Sequence, residues 1–163
     1  MARLITVALL AMAAASCSQD AAGPGNSTQP KAAAAVPKAC DVLTAVDAKA
    51  ALGRDVQRMP NDGGPNGLDI CQYGYQGERL ADSGQVSVTL QPVDLDSLIA
   101  AAREQGYDVE PVPGIGDEAY YSREVGLHVG KGNRSAIYLL GAGGLSDAKE
   151  RTVALARATA DRL

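Results

Sequence analysis

The chain has 163 residues, a formal net charge of −4 and 21% charged residues, which is enough sequence for one ordinary domain and a tail. This mild acidity argues against a nucleic-acid-binding role, which needs a clustered basic surface. Phe and Trp are both absent. The core therefore has to be built from aliphatic side chains, alanine and tyrosine.

The first sixteen residues have the features of a secretory signal: a cation at Arg3, an apolar run from Leu4 to Ala15, and small residues before Cys17. At about 1.5 Å per residue, the run covers about 18 Å of a hydrocarbon core that is about 30 Å thick. It is too short to span a membrane. Cys17 follows Ala14-Ala15-Ser16 and resembles the cysteine of a bacterial lipobox, although a lipobox usually has Leu where this chain has Ala14. We therefore predict a lipoprotein signal peptide at 1–16 and lipid attachment at Cys17.

The alternative is an ordinary signal peptide cleaved near Ala15, which would leave Cys17 as a free thiol in an oxidising compartment. Acylation accounts for this cysteine and is the preferred interpretation. It predicts a location in the cell envelope, on the outer side of the cell membrane. The resemblance to bacterial lipoproteins implies more for a cell with two membranes: their inner-membrane retention signal has Asp where this chain has Ser18, which implies the periplasmic side of the outer membrane. Residues 17–39 are predicted to form a disordered, lipid-anchored linker, since they offer almost nothing to bury.

The chain has three cysteines, and lipidation of Cys17 leaves Cys40 and Cys71 as the only pair. An exported location favours a disulfide between them. A zinc site is disfavoured, because His128 is distant and the two thiols lack paired close spacing. We assign no metal ligand.

Residues 40–163 are predicted to form a single globular domain. Thr44, with Asp47 three residues later, predicts a capped helix over 45–52 that ends at Gly53. An extended piece at 55–59, a loop at 60–67 and a strand at 69–75 follow. The next strand shows period-two alternation, with Val86, Val88 and Leu90 on one face.

Asp94 predicts the cap of a second helix, which carries an apolar stripe and stops at Gly106. Three strand candidates follow, at 118–121, 127–131 and 134–140. A final helix is predicted after a cap at Ser146.

An octapeptide repeats at an offset of 53 residues: Gly53–Pro60 and Gly106–Pro113 share four of eight positions. It suggests a duplicated helix-strand-strand-strand unit plus a C-terminal helix, with a chance match as the alternative. The pattern predicts an α+β fold, with an antiparallel sheet and helices packed on one face.

Short pieces of the domain resemble a group of small bacterial lipoproteins, of actinobacterial type, whose domain is of unknown function. The pieces are Cys40 with Leu43-Thr44, Ala50–Gly53, Cys71-Gln72-Tyr73, Gly114–Tyr120 and Gly130-Lys131-Gly132. The resemblance implies a disulfide and an envelope location. It brings no catalytic residues.

None of the conspicuous residues forms a catalytic pattern. The spacing of Gly114-Ile115-Gly116-Asp117 lacks the remainder of a phosphate-binding motif, so a structural turn is predicted. The one histidine, His128, is expected to be solvated on the opposite face of its strand from Leu127 and Val129. Tyr73, Tyr75 and the Tyr120-Tyr121 pair are expected to fill the core. We assign no catalytic and no cofactor-binding residues.

These observations predict a non-catalytic binding or structural module of the envelope, with an envelope protein or cell-wall component as partner and no nucleic acid. The partner would bind the open face of the sheet or the loops at 60–67 and 111–117. The alternative is an inhibitor or accessory subunit of an envelope enzyme, which would use the 60–67 loop. An enzyme would need a pocket that holds His128 beside Asp117 or Glu118.

Overall fold

The computed structural model describes residues 37–60, 68–143 and 145–163. These contain four α-helices and one sheet of seven strands. The helices are α1 (Ala39–Val42), α2 (Ala45–Leu52), α3 (Leu95–Glu104) and α4 (Ala148–Thr159). The strands are β1 (Gln57–Arg58), β2 (Asp69–Tyr75), β3 (Gly84–Gln91), β4 (Glu110–Pro111), β5 (Glu118–Ser122), β6 (Gly126–Lys131) and β7 (Arg134–Ala142).

All neighbouring strands are antiparallel, in the order β1-β2-β3-β7-β6-β5-β4. One face of the sheet, here called the core face, carries the fully buried Val86, Val88, Val129, Ala136 and Tyr138. Side chains from α1, α2 and α4 complete this core. The predicted α+β class with an antiparallel sheet is confirmed.

The start and end of α2 follow from local chemistry. The backbone N–H of Asp47 donates to the Thr44 hydroxyl, and the Asp47 carboxylate accepts from the Thr44 backbone N–H, which forms a capping box. Gly53 ends the helix in the left-handed conformation at φ 70°. The predicted span of 45–52 is confirmed.

Helix α3 differs from the other three helices, because it packs on the second face of the sheet. The Leu95 side chain lies against Gly130, and the Ser135 hydroxyl donates to the Val93 carbonyl at 2.6 Å. Gly130 and Ser135 alternate with the core residues Val129 and Ala136, so they point away from the core face. Packing of the helices on one face therefore holds for α1, α2 and α4 but not for α3.

The strand order gives a physical reason for this difference. Strands β3 and β6 both run antiparallel to β7, so they are parallel to each other. A twofold rotation about an axis along β7 would place β1-β2-β3 on β4-β5-β6, and such a rotation exchanges the two faces of the sheet. The helices that precede these two sets of strands, α2 and α3, therefore lie on opposite faces. The octapeptide repeat corresponds to the edge strands β1 and β4, which lie at the same offset of 53 residues.

Two helix starts differ from the sequence prediction. The four-residue α1 was not predicted; it begins at Ala39, which is fully buried. Helix α4 has its N-cap at Asp147, one residue after the predicted Ser146. Its buried face contains Thr152, Leu155 and Thr159, as the helical spacing predicts.

Candidate functional site

Cys17, the linker up to residue 36 and the loop residues 61–67 lie outside the described residues. The second cysteine prediction does fall within them. The sulfur atoms of Cys40 and Cys71 are 2.08 Å apart, at bonding distance, and the Cα atoms are 4.9 Å apart. The pair joins α1 to β2. It is a structural link, because Cys71 is 1% exposed and offers no reactive surface.

The loop at 111–117 packs against the β6–β7 turn. Ile115 is 3% exposed, and the Asp117 carboxylate accepts a hydrogen bond from the Gly132 N–H at 2.6 Å. At Gly116, φ is 58°, and a Cβ atom would stand 2.4 Å from the Gly130 carbonyl oxygen. These contacts agree with the structural turn predicted for the glycine pair. Ile115 and Asp117 are occupied by contacts within the domain, which argues against a partner-binding role for this loop.

His128 was expected to be solvated, and this prediction is wrong. His128 does point away from the core face. The second face, to which it points, is the one on which α3 packs, and the side chain is only 4% exposed. Neither ring nitrogen has a hydrogen-bond partner. Asp117 and Glu118 bond instead to Gly132 and to the Tyr120 hydroxyl. The acid–base pocket that an enzyme interpretation requires is therefore not formed by these groups.

The tyrosines predicted as core fillers are only partly buried. Tyr73, Tyr75 and Tyr121 pack against the edge of the core, and the fully buried tyrosine is Tyr138. The Tyr138 hydroxyl is 3.1 Å from the Thr159 hydroxyl, so its polar end has a partner. Cationic side chains lie over the rings of three other tyrosines: Arg54 over Tyr75, Arg103 over Tyr120 and Lys149 over Tyr121.

Tyr75 lies at the centre of a concave surface at one end of the sheet. One open cleft of about 940 Å³ runs between the β2–β3 connection and the end of β7. A second cleft of about 450 Å³ lies between β1 and β2. The two clefts share the lining residues Met59, Tyr75 and Gln76. We call the surface formed by both clefts the Tyr75 surface; it is lined by Asp55, Gln57–Pro60, Gly74–Ala81, Ser83–Gln85, Gly141 and Gly143.

Four charged residues line this surface, two of each sign: Asp55 and Arg79 form ion pairs within the protein, and Arg58 and Glu78 have opposite charges. Arg79 forms an ion pair with Asp82 at 2.8 Å, which raises the pKa of Arg79 and lowers that of Asp82. Lys49 pairs with Asp55. Arg54 stacks over the Tyr75 ring, with its guanidinium carbon 5.1 Å from the ring centre. The surface therefore offers little net attraction to a highly charged ligand.

The Tyr75 surface combines an exposed apolar side chain with open space at one glycine. Leu80, in the 3₁₀ turn between β2 and β3, is 90% exposed. A Cβ atom at Gly141 would meet only the Gln85 side chain, at 3.9 Å. Exposed apolar side chains beside a concavity are typical of contact surfaces for partners. Sequence reasoning missed this site, because its residues come from three separated segments and form no motif.

No group of His, Cys, Asp and Glu in the described segments is arranged to hold a metal ion. None of the helices over the same residues has the length and hydropathy to cross a membrane. Comparison with known proteins gives no match to a family model, to a curated protein or to a solved structure.

Proposed function

We propose that the protein is a lipid-anchored, non-catalytic binding module of the bacterial cell envelope, and that the Tyr75 surface contacts an envelope protein or cell-wall partner. The observation that carries the binding role is the open cleft of about 940 Å³ with Leu80 90% exposed beside it. Anchoring through Cys17 is supported by the signal-like N terminus.

The cysteine pair supports the location. Disulfides persist in oxidising compartments and are rare in the cytosol of most organisms. Cys40 and Cys71 lie at bonding distance in the folded domain. A domain that depends on this bond is suited to the outer side of the cell membrane.

The chemistry of the Tyr75 surface favours binding over catalysis. Its apolar contact area comes from Leu80, Met59 and Tyr75. Burial of these side chains against a partner removes apolar surface from water, which favours binding. Its polar side chains include glutamines, of which Gln85 accepts a hydrogen bond from Gln72 at 2.8 Å. Amides of this kind can bond a neutral partner without a large cost of desolvating a charge.

A photo-crosslinking amino acid at position 80, introduced into the full-length chain in living cells, tests the proposal. We expect an adduct of defined mass that includes an envelope component. Position 46 is the matched control, because Val46 is also highly exposed, at 77%, but does not line the Tyr75 surface. Adducts at neither position, or equal adducts at both, would contradict the proposal. A stoichiometric adduct with an envelope hydrolase would favour the alternative of an inhibitor.

A further inference from the structure

His128 is a buried base on the second face of the sheet. Neither of its ring nitrogens has a hydrogen-bond partner. Among the described residues, these two are the only buried side-chain nitrogen or oxygen atoms without one. A neutral imidazole in this position loses two hydrogen bonds at most. An imidazolium would lose them and bury an unpaired charge as well, which costs far more. The site therefore selects the neutral form.

Helix α3 is the element that covers this histidine. Near its start, the Leu95 Cδ2 atom lies 3.0 Å from the place of a Cβ atom on Gly130, two residues after His128 on the same face. Near its end, Arg103 lies over the ring of Tyr120, 5.9 Å from the ring centre. Tyr120 is the direct cross-strand partner of His128. The helix thus passes over the position of the imidazole.

The support of α3 is separate from the main core. It docks through Leu95, Ile99 and Ala102, which are at most 5% exposed. None of the three belongs to the core cluster on the other face, where α1, α2 and α4 pack. Because the core does not depend on α3, this helix can open at a lower free energy than the whole domain.

We propose that protonation of His128 releases α3 from the sheet, so that this helix is an acid-sensitive cover over the second face. In the closed state the imidazole is neutral and buried. In the open state the imidazolium and the apolar surface beneath α3 both reach water.

The charged and titratable groups that face His128 do not offset its protonation. From β5, Tyr120 lies opposite it, and Glu118, at the exposed rim, accepts a hydrogen bond from the Tyr120 hydroxyl at 3.4 Å. From β7, the residue opposite is the uncharged Ile137. From α3, Arg103 has the same sign of charge as an imidazolium. Burial lowers the pKa of His128; the nearby Val125 backbone has a smaller, raising effect but does not reach hydrogen-bond geometry with either ring nitrogen.

The sign of the effect follows from linkage. The lowered pKa applies to the closed state, and an exposed histidine has a pKa of about 6.5. The closed state is therefore fully favoured above about pH 6.5 and loses up to about tenfold in its ratio to the open state for each pH unit below that. Asp94, the N-cap of α3, also titrates. Its hydrogen bonds from Ser97 lower its pKa below 3.8, so it acts in a more acidic range.

Amide hydrogen exchange on the full-length chain, corrected for the intrinsic rate, tests the proposal from about pH 7.5 to about pH 4.5. We expect protection of α3 to fall by up to about tenfold per pH unit below about 6.5, while β3 and β7 keep theirs. H128Q should abolish this dependence, and D94N should leave it in place. Equal loss in α3 and β3, an unchanged α3, or a response that persists in H128Q would overturn the proposal.

A second measurement does not depend on any variant. The chain has a single histidine, so one imidazole signal in a proton NMR titration reports on His128. We expect its midpoint to lie below about 6.5 and to coincide with shifts of the α3 amides. A midpoint at about 6.5 without any change in α3 would overturn the proposal.

Discussion

Reduction of the Cys40–Cys71 bond should lower the free energy of unfolding by an amount that follows from the loop it closes. The two cysteines are 31 positions apart. In the chain-entropy description, closure of a loop of this length stabilises a fold by about 3.7 kcal/mol at 25 °C. For a domain of about 120 residues, that loss corresponds to a decrease in Tm of about 14 °C.

Urea unfolding of the oxidised and the reduced protein, followed by circular dichroism, measures this difference. We expect the reduced protein to unfold at a clearly lower urea concentration and to lose α1 first, since four residues cannot hold a helix alone. C17S is the control, because it removes the third cysteine but leaves the pair intact. Coincident midpoints for the oxidised and reduced forms would refute the reasoning.

Three further predictions concern single positions. G116A should lower the free energy of unfolding in urea by about 2 kcal/mol or more, because the residue has positive φ and its new Cβ would clash with a backbone oxygen. G132A is the control: it has a φ of +60° and open space around it, so it should cost about 1 kcal/mol. Equal losses for the two variants would contradict the clash at Gly116. D47N should lower stability by about 1.5 kcal/mol at neutral pH. Burial alone would raise the pKa of Asp47, but hydrogen bonds, chiefly from Arg162, outweigh it and lower the pKa. The difference in free energy of unfolding between the wild type and D47N should therefore disappear as the pH falls through the region below 3.8. A difference that is unchanged at low pH would contradict this role of the Asp47 carboxylate. Burial raises the pKa of Tyr138 to about 12, so its phenolate absorbance should appear last among the tyrosines, and stability should fall as pH rises above about 10. All tyrosines titrating together in the folded protein would contradict this.

Local chemistry made much of the fold predictable. The Thr44–Asp47 capping box and Gly53 define α2, and the alternation of Val86 and Val88 identifies β3, because both signals act within a few residues. The octapeptide repeat falls on β1 and β4, which are only two residues each, but only β1 was predicted, within the extended piece at 55–59, and β4 was not among the strand candidates.

Long-range packing was the part that sequence could not supply. The burial of His128 depends on which face α3 covers, and an amphipathic stripe specifies a buried side but not the partner surface. The short α1 lacks helical periodicity, and its stability depends on Cys71 in a distant strand. The Tyr75 surface likewise exists only after β1, the β2–β3 connection and the end of β7 are brought together.

The intact mass of the protein isolated from cell membranes tests the central proposal most directly. We expect a chain that lacks residues 1–16, carries acyl chains on Cys17, and gains two alkyl groups on Cys40 and Cys71 only after reduction. A cytosolic product that retains residues 1–16, with all three thiols alkylated without reductant, would contradict it.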